Sequence, residues 1–121
     1  MHITITGVHI EITDAIREYV NTRLSSLDKY SVKGDTSATI SVELSKTSAH
    51  HSHGDVFQVE AQAHVKGMSF NVKAVREDLY SAIDEIRDML AREFTEQKDK
   101  RISLFKKGAH KLKKLLKFQN D

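Results

Sequence analysis

The sequence predicts an α+β fold of order β-α-β-β-β-α, with two helices packed on one face of a four-stranded, mainly antiparallel sheet. Three observations lead there. Consecutive segments between Ser37 and Ala74 alternate apolar and polar residues with period two. Two other segments, after Thr13 and from about Arg76, repeat apolar residues at helical spacing. A short alternating stretch precedes the first of these, and such an order closes into two layers around one core.

In the first strand Ile3 and Ile5 share a face while His2, Thr4 and Thr6 take the other, and Gly7 is expected to end it. Thr13 is an N-cap candidate, and Asp14 suits the positive end of a helix dipole. Ile16, Tyr19, Val20, Leu24 and Leu27 then define an amphipathic helix over residues 14–30. Ile40, Val42 and Leu44 mark the second strand, and Phe57, Val59, Ala61, Ala63 and Val65 the third. Lys66-Gly67 reads as a tight turn into a last strand carrying Phe70, Val72 and Ala74. Leu79, Ile83, Ile86, Leu90 and Phe94 set a long second helix, residues 76–101.

The charge is unevenly spread. Residues 101–121 hold seven of the 19 Lys+Arg and one of the 17 Asp+Glu, a net of 7 − 1 = +6. Residues 1–100 therefore carry 12 − 16 = −4. That asymmetry points to a nucleic-acid or other anionic partner. It divides the chain into an α+β domain, residues 1–101, and a basic tail, residues 102–121, either helical or disordered. With 121 residues there is room for one modest core. No cysteine is present, which excludes disulfides, thiolate catalysis and Cys-based zinc sites. No apolar run approaches the roughly 18 residues of a membrane span, and the amino end lacks a signal-peptide layout, so a cytoplasmic protein is expected.

Catalytic motifs are missing: no Gly-rich phosphate loop, GxSxG or HExxH occurs, so no enzyme and no cofactor is expected. Glu77/Asp78 and Asp84/Glu85 read as solvated helix face or first-turn dipole partners. His50, His51, His53 and Asp55 could chelate a metal, but their Ser/Gly-flanked setting favours a polar hairpin loop. On the second helix Arg76, Arg87 and Lys98 recur every 11 residues, which predicts a basic line that also takes in Tyr80. Arg23 falls inside the apolar stripe of the first helix, where it must snorkel out or meet an anion.

Two motifs carry a family resemblance. The opening ITGVHIEITDAIREYVNTRLSSLDKY, Ile5 to Tyr30, resembles the first strand and helix of the ribosome hibernation promoting factor family, which includes the ribosome-associated inhibitor A proteins. The family's run of the type DMYAAID, then DKLxRQLxKxK, is matched by DLYSAID, Asp78 to Asp84, and DMLAREFTEQKDK, Asp88 to Lys100. The resemblance covers residues 1–101 and is to the short form. It departs at Met89, Glu96 and Ser26, where relatives commonly carry basic residues.

The resemblance implies a free monomer that binds the small ribosomal subunit, through its 16S ribosomal RNA, in the channel used by messenger and transfer RNA. Such binding silences translation and protects ribosomes in non-growing cells. Short members pair ribosomes together with a ribosome modulation factor, whereas the tail of the inhibitor A relatives opposes pairing, and both outcomes stay open here. Arg17, Arg23, Arg92, Lys98 and Lys100 match basic family positions, and Tyr80 matches the family aromatic, as a base-stacking or a packing residue. Arg76 and Arg87 rest on the helical line, and Arg101 closes the set of candidate ribosomal-RNA contacts. Lys106, Lys107, Lys111, Lys113, Lys114 and Lys117 would add accessory contacts from the tail. The element order is also similar to that of double-stranded-RNA-binding domains, a likeness of fold alone. A different class of function, membrane or groove binding through the tail, follows from its amphipathic pattern: as a helix it sets Leu104, Phe105, Leu112, Leu115 and Leu116 opposite the lysines.

Overall fold

A computed structural model describes residues 1–32, 34–48 and 54–119, with the side chains of 48, 98, 99, 101–103, 105, 110 and 112–119 left outside the description. The elements are β1 (His2–Val8), α1 (Asp14–Ser25), a 3-10 helix (Ser26–Tyr30), β2 (Thr39–Ser48), β3 (Asp55–Val65), β4 (Met68–Arg76) and α2 (Leu79–Gln119). Strand order in the sheet follows chain order. β1 and β2 run parallel, connected through α1, while β2–β3 and β3–β4 are antiparallel.

The register explains the core. Three rows cross the sheet on its covered face: Ile3–Ile40–Ala63–Phe70, Ile5–Val42–Ala61–Val72 and Gly7–Leu44–Val59–Ala74. Because the side-chain period of a strand is two, the rows between them hold the opposite face. Those are His2–Thr39–His64–Ser69, Thr4–Ser41–Gln62–Asn71 and Thr6–Glu43–Glu60–Lys73, a polar, open surface. The helices complete the core with Val20, Leu24, Leu27, Ile83, Ile86 and Leu90, each fully buried. Burying each Leu or Ile of this set contributes about 1.5–3 kcal/mol.

The chain divides into two compact units, Met1–Ala91 and Arg92–Asp121. The first holds the sheet, α1 and the opening turns of α2. The second continues α2, with Leu104, Lys106, Lys107, Gly108, Ala109 and Lys111 exposed.

Four boundaries differ from the sequence expectation. β1 continues one residue past Gly7, to Val8. A Cβ at Gly7 would lie 2.5 Å from the Ile10 carbonyl oxygen and 3.0 Å from Ile12, so the glycine serves a close approach of the following loop. The first α-helix stops at Ser25. The hydroxyls of Ser25 and Ser26 donate back to the carbonyls of Thr22 and Arg23, which tightens the chain into the 3-10 turn. α2 begins at Leu79, three residues later than the periodicity suggests, because the Asp78 carboxylate accepts from the Tyr80 and Ser81 amides. It then runs on to Gln119, since the tail offers no proline and Gly108 alone costs only about 1 kcal/mol.

Other local readings stand as expected. Thr13 Oγ1 accepts from the Ile16 amide at 3.2 Å, capping α1. Lys66 and Gly67 both adopt positive φ, 54° and 74°, as a two-residue hairpin requires.

Candidate nucleic-acid interface

α1 and α2 each bring two functional side chains to their shared rim by i, i+4 spacing: Tyr19 with Arg23, and Tyr80 with Asp84. Asp84 Oδ1 accepts from Tyr19 Oη at 2.7 Å and from Arg23 Nε at 2.8 Å. The Tyr19 and Tyr80 rings meet edge to face, with centroids 4.8 Å apart and planes at 90°. The hydrogen bond to Asp84 raises the Tyr19 phenol above its ordinary value, because ionisation would remove the donor. Tyr80 stays 39% exposed, so its ring is available at the surface while Tyr19 supports it from one side. Arg23, set within an apolar stripe, meets an anion of the same chain, Asp84, at the surface.

The other arginines divide into committed and open ones. Arg76 Nε donates to Glu85 Oε2 at 2.6 Å; this pairing raises the arginine and lowers the Glu85 carboxyl. Arg87 Nε donates to Ser26 Oγ at 2.9 Å, and its Nη1 to the neighbouring Asp88 at 3.2 Å. Arg17 is exposed on α1 and makes no side-chain hydrogen bond among the described residues. In the second unit Arg92, Lys100, Lys106, Lys107 and Lys111 are exposed on α2. The side chains of Lys98, Arg101, Lys113, Lys114 and Lys117 lie outside the description.

The predicted line of Arg76, Arg87 and Lys98 on one helix is not formed. Arg76 is the last residue of β4, in the row Lys46–Phe57–Arg76 at the end of the covered face. Helical spacing could not be counted from it because the helix starts only at Leu79, three residues on. Asp84 and Glu85, read from sequence as solvated face or first-turn dipole partners, are partly exposed and also accept from Arg23 and Arg76. Arg23 inside an apolar stripe was the signal that a carboxylate would face it. Asp78 is a cap proper: the Ser81 hydroxyl, first, and the two amides hold its carboxyl below the usual range.

His50, His51 and His53 lie outside the described residues. Asp55, the remaining member of that group, pairs with Lys46 Nζ at 3.0 Å. The open sheet face carries Glu43 opposite Glu60, with Lys73 4.0 Å from Glu60, and is a poor surface for polyphosphate. Among the described residues no helix is long and apolar enough to cross a membrane.

Comparison with known proteins bears on this arrangement. The family profile described as "Sigma 54 modulation protein / S30EA ribosomal protein" matches residues 3–102. The chain is similar to the "Ribosome hibernation promoting factor" of Escherichia coli K12, with 35% identity over 100 residues, 83% of this chain and 96% of the relative. The protein of the same name from Azotobacter vinelandii is 31% identical over 102 residues, 84% of this chain and 87% of the relative. Among solved structures, the N-terminal domain of Thermus thermophilus Protein Y has a TM-score of 0.63 and 34% identity, covering 78% of this chain and 96% of that one. A ribosomal subunit interface protein from Coxiella burnetii has a TM-score of 0.66 at 21% identity, covering 82% and 99%, a likeness of fold.

Proposed function

The chain belongs to the Sigma 54 modulation protein / S30EA ribosomal protein family, a non-enzymatic family of ribosome-binding proteins, and from that premise we propose that it is a ribosome hibernation factor. It binds the small ribosomal subunit in the channel used by messenger and transfer RNA and silences translation by occupancy. Association with ribosomes places it in the cytoplasm. The observation that carries this reading is the 35% identity over 96% of a relative named for ribosome hibernation. The geometry supports it: Arg17, Arg23 and Tyr80 on the α1–α2 side of the first unit supply phosphate and stacking contacts suited to structured RNA, and the second unit carries its own exposed Arg92, Lys100, Lys106, Lys107 and Lys111. Blocking by occupancy needs no chemistry, since a bound domain excludes other ligands by mass action.

Co-sedimentation with purified small subunits tests the reading. Binding is expected, and added messenger and transfer RNA should displace the protein. Binding that ignores both competitors would rule out the channel.

A second reading concerns the tail. α2 continues through the tail to Gln119, with Lys106, Lys107 and Lys111 exposed along it. On that ground it can govern whether occupied ribosomes pair, with a ribosome modulation factor, or remain single. Ribosome sedimentation profiles with full-length and shortened protein separate the two outcomes: more dimers with the shortened chain means the tail opposes pairing.

A further inference from the structure

We propose that Asp84 is a positioning residue for RNA binding: it clamps Tyr19 and Arg23 with a single oxygen and so presents the Arg23 guanidinium and the Tyr80 ring as one preformed nucleotide-contacting pair. The inference deepens the ribosome-binding reading and rests on it. The ligand is a nucleotide of ribosomal RNA, with its phosphate on Arg23 and its base on the Tyr80 face.

Three observations support it. First, Arg23 meets Asp84 through Nε, at 2.8 Å, and the Nη end of the guanidinium is not used by that bond. Phosphate is recognised by such a fork, so the internal pair orients the group without consuming it. Second, the clamp sits at the surface: the side chains of Arg23 and Asp84 are 42% and 40% exposed. An ion pair this open adds little to folding, so its geometry needs another use. Third, the same carboxylate fixes the Tyr19 hydroxyl at 2.7 Å, and the Tyr19 ring meets Tyr80 edge-on. One acid therefore holds a cation and, through a ring contact, a half-exposed aromatic. Arginine has many rotamers, and immobilising it before the ligand arrives lowers the entropy lost on binding.

Net charge argues the opposite way, which makes the test sharp. Removing Asp84 adds +1 to the protein and by electrostatics alone should tighten RNA binding. Asp84→Ala and Asp84→Asn make the same charge change, but only asparagine keeps an oxygen that accepts from Tyr19 and Arg23. The experiment measures affinity for purified small subunits for the full chain and both variants. Alongside it, the Arg23 Nε–H exchange rate reports by NMR whether the clamp is closed.

The expected result is about tenfold weaker binding for Asp84→Ala, the equivalent of one or two side chains ordered only on contact. Asp84→Asn should stay within about twofold of the parent, and fast Nε–H exchange should appear in the alanine variant alone. Unchanged or tighter binding by Asp84→Ala, with Nε–H exchange accelerated, overturns the proposal. Equal weakening by both variants also overturns it, since asparagine keeps the accepting oxygen and the placement of Tyr19 and Arg23 could not then account for the loss. Should Asp84→Ala fail to fold, Tyr19→Phe frees half the clamp at constant charge, and binding equal to the parent overturns the proposal. A parent protein that does not bind small subunits refutes the ribosome-binding reading instead, and the inference with it.

Discussion

Arg87 reaches from α2 to the end of α1, where its Nε donates to Ser26 Oγ at 2.9 Å while the same hydroxyl donates to the Arg23 carbonyl at 2.7 Å. Ser26 thus ties the two helices together. A lysine there could not accept from Arg87, so the two cations would separate and both turn outward. Ser26→Lys should therefore strengthen RNA binding and steepen its dependence on salt. If the new cation meets one phosphate, the log–log slope changes by about 0.7–0.9. Titration of labelled ribosomal RNA at several salt concentrations measures it, and an unaltered slope means that the α1–α2 rim does not face phosphate.

The pH dependence of stability follows from groups at the start of α2. Arg76 depresses the Glu85 carboxyl, and the Ser81 hydroxyl depresses that of Asp78. An acid with a lowered folded value binds fewer protons when folded than when unfolded, so its contribution is present above the unfolded value, about 4, and fades as pH falls through the folded one. Thermal stability should hold from neutral pH to about 5 and then decline. Asp78→Asn should flatten that acid limb. Tyr19 has the opposite sign: its raised phenol favours the protonated form in the fold, so stability is lost as pH rises above about 10. Melting curves of Tyr19→Phe should lack that part of the alkaline loss, and an identical alkaline limb would mean that the Asp84 hydrogen bond is not maintained in solution.

Gly7 tests the packing of the loop between β1 and α1. An added methyl would press on the Ile10 carbonyl, which belongs to backbone and cannot swing away as a side-chain end could. Gly7→Ala should destabilise the domain by about 1–3 kcal/mol, in the range of overpacked sites. Chemical denaturation gives the value directly. A neutral result would show that the loop relaxes freely.

The fold was readable because its sheet is covered on one face only. Ile40, Val42 and Leu44 alternate with Thr39, Ser41 and Glu43, and that alternation is itself the record of which side meets the helices. Thr13, Lys66 and Gly67 were equally plain, since a cap and a two-residue turn depend on neighbours in sequence. Readability ended where partners lie far apart along the chain. Arg23 and Asp84 are separated by 61 residues, as are Arg87 and Ser26, and no local spacing announces which acid or hydroxyl a given arginine will meet. The start of α2 failed for a related reason. Arg76, Glu77 and Asp78 are all charged, so no apolar residue marks the boundary there, and the switch from strand to helix is decided by one carboxylate, that of Asp78, bonding to two amides.

The tail offers the widest test. Deleting residues 102–121 removes six lysines and Asp121, a net loss of 6 − 1 = 5 positive charges, and leaves every residue of Met1–Ala91 in place. All three rows that build the core lie in that unit, so the melting temperature should change little. Small-subunit affinity should fall, and its salt dependence should flatten by between one and about five units of log–log slope, according to how many lysines reach phosphate. The two measurements together separate the possible roles of the helix. Unchanged stability with a flatter slope makes the extension an RNA-contacting arm on an independently folded domain. A large loss of stability would instead make it part of the fold. An unaltered slope with unaltered stability would falsify the RNA-contacting role and leave the arm free to act on something other than ribosomal RNA.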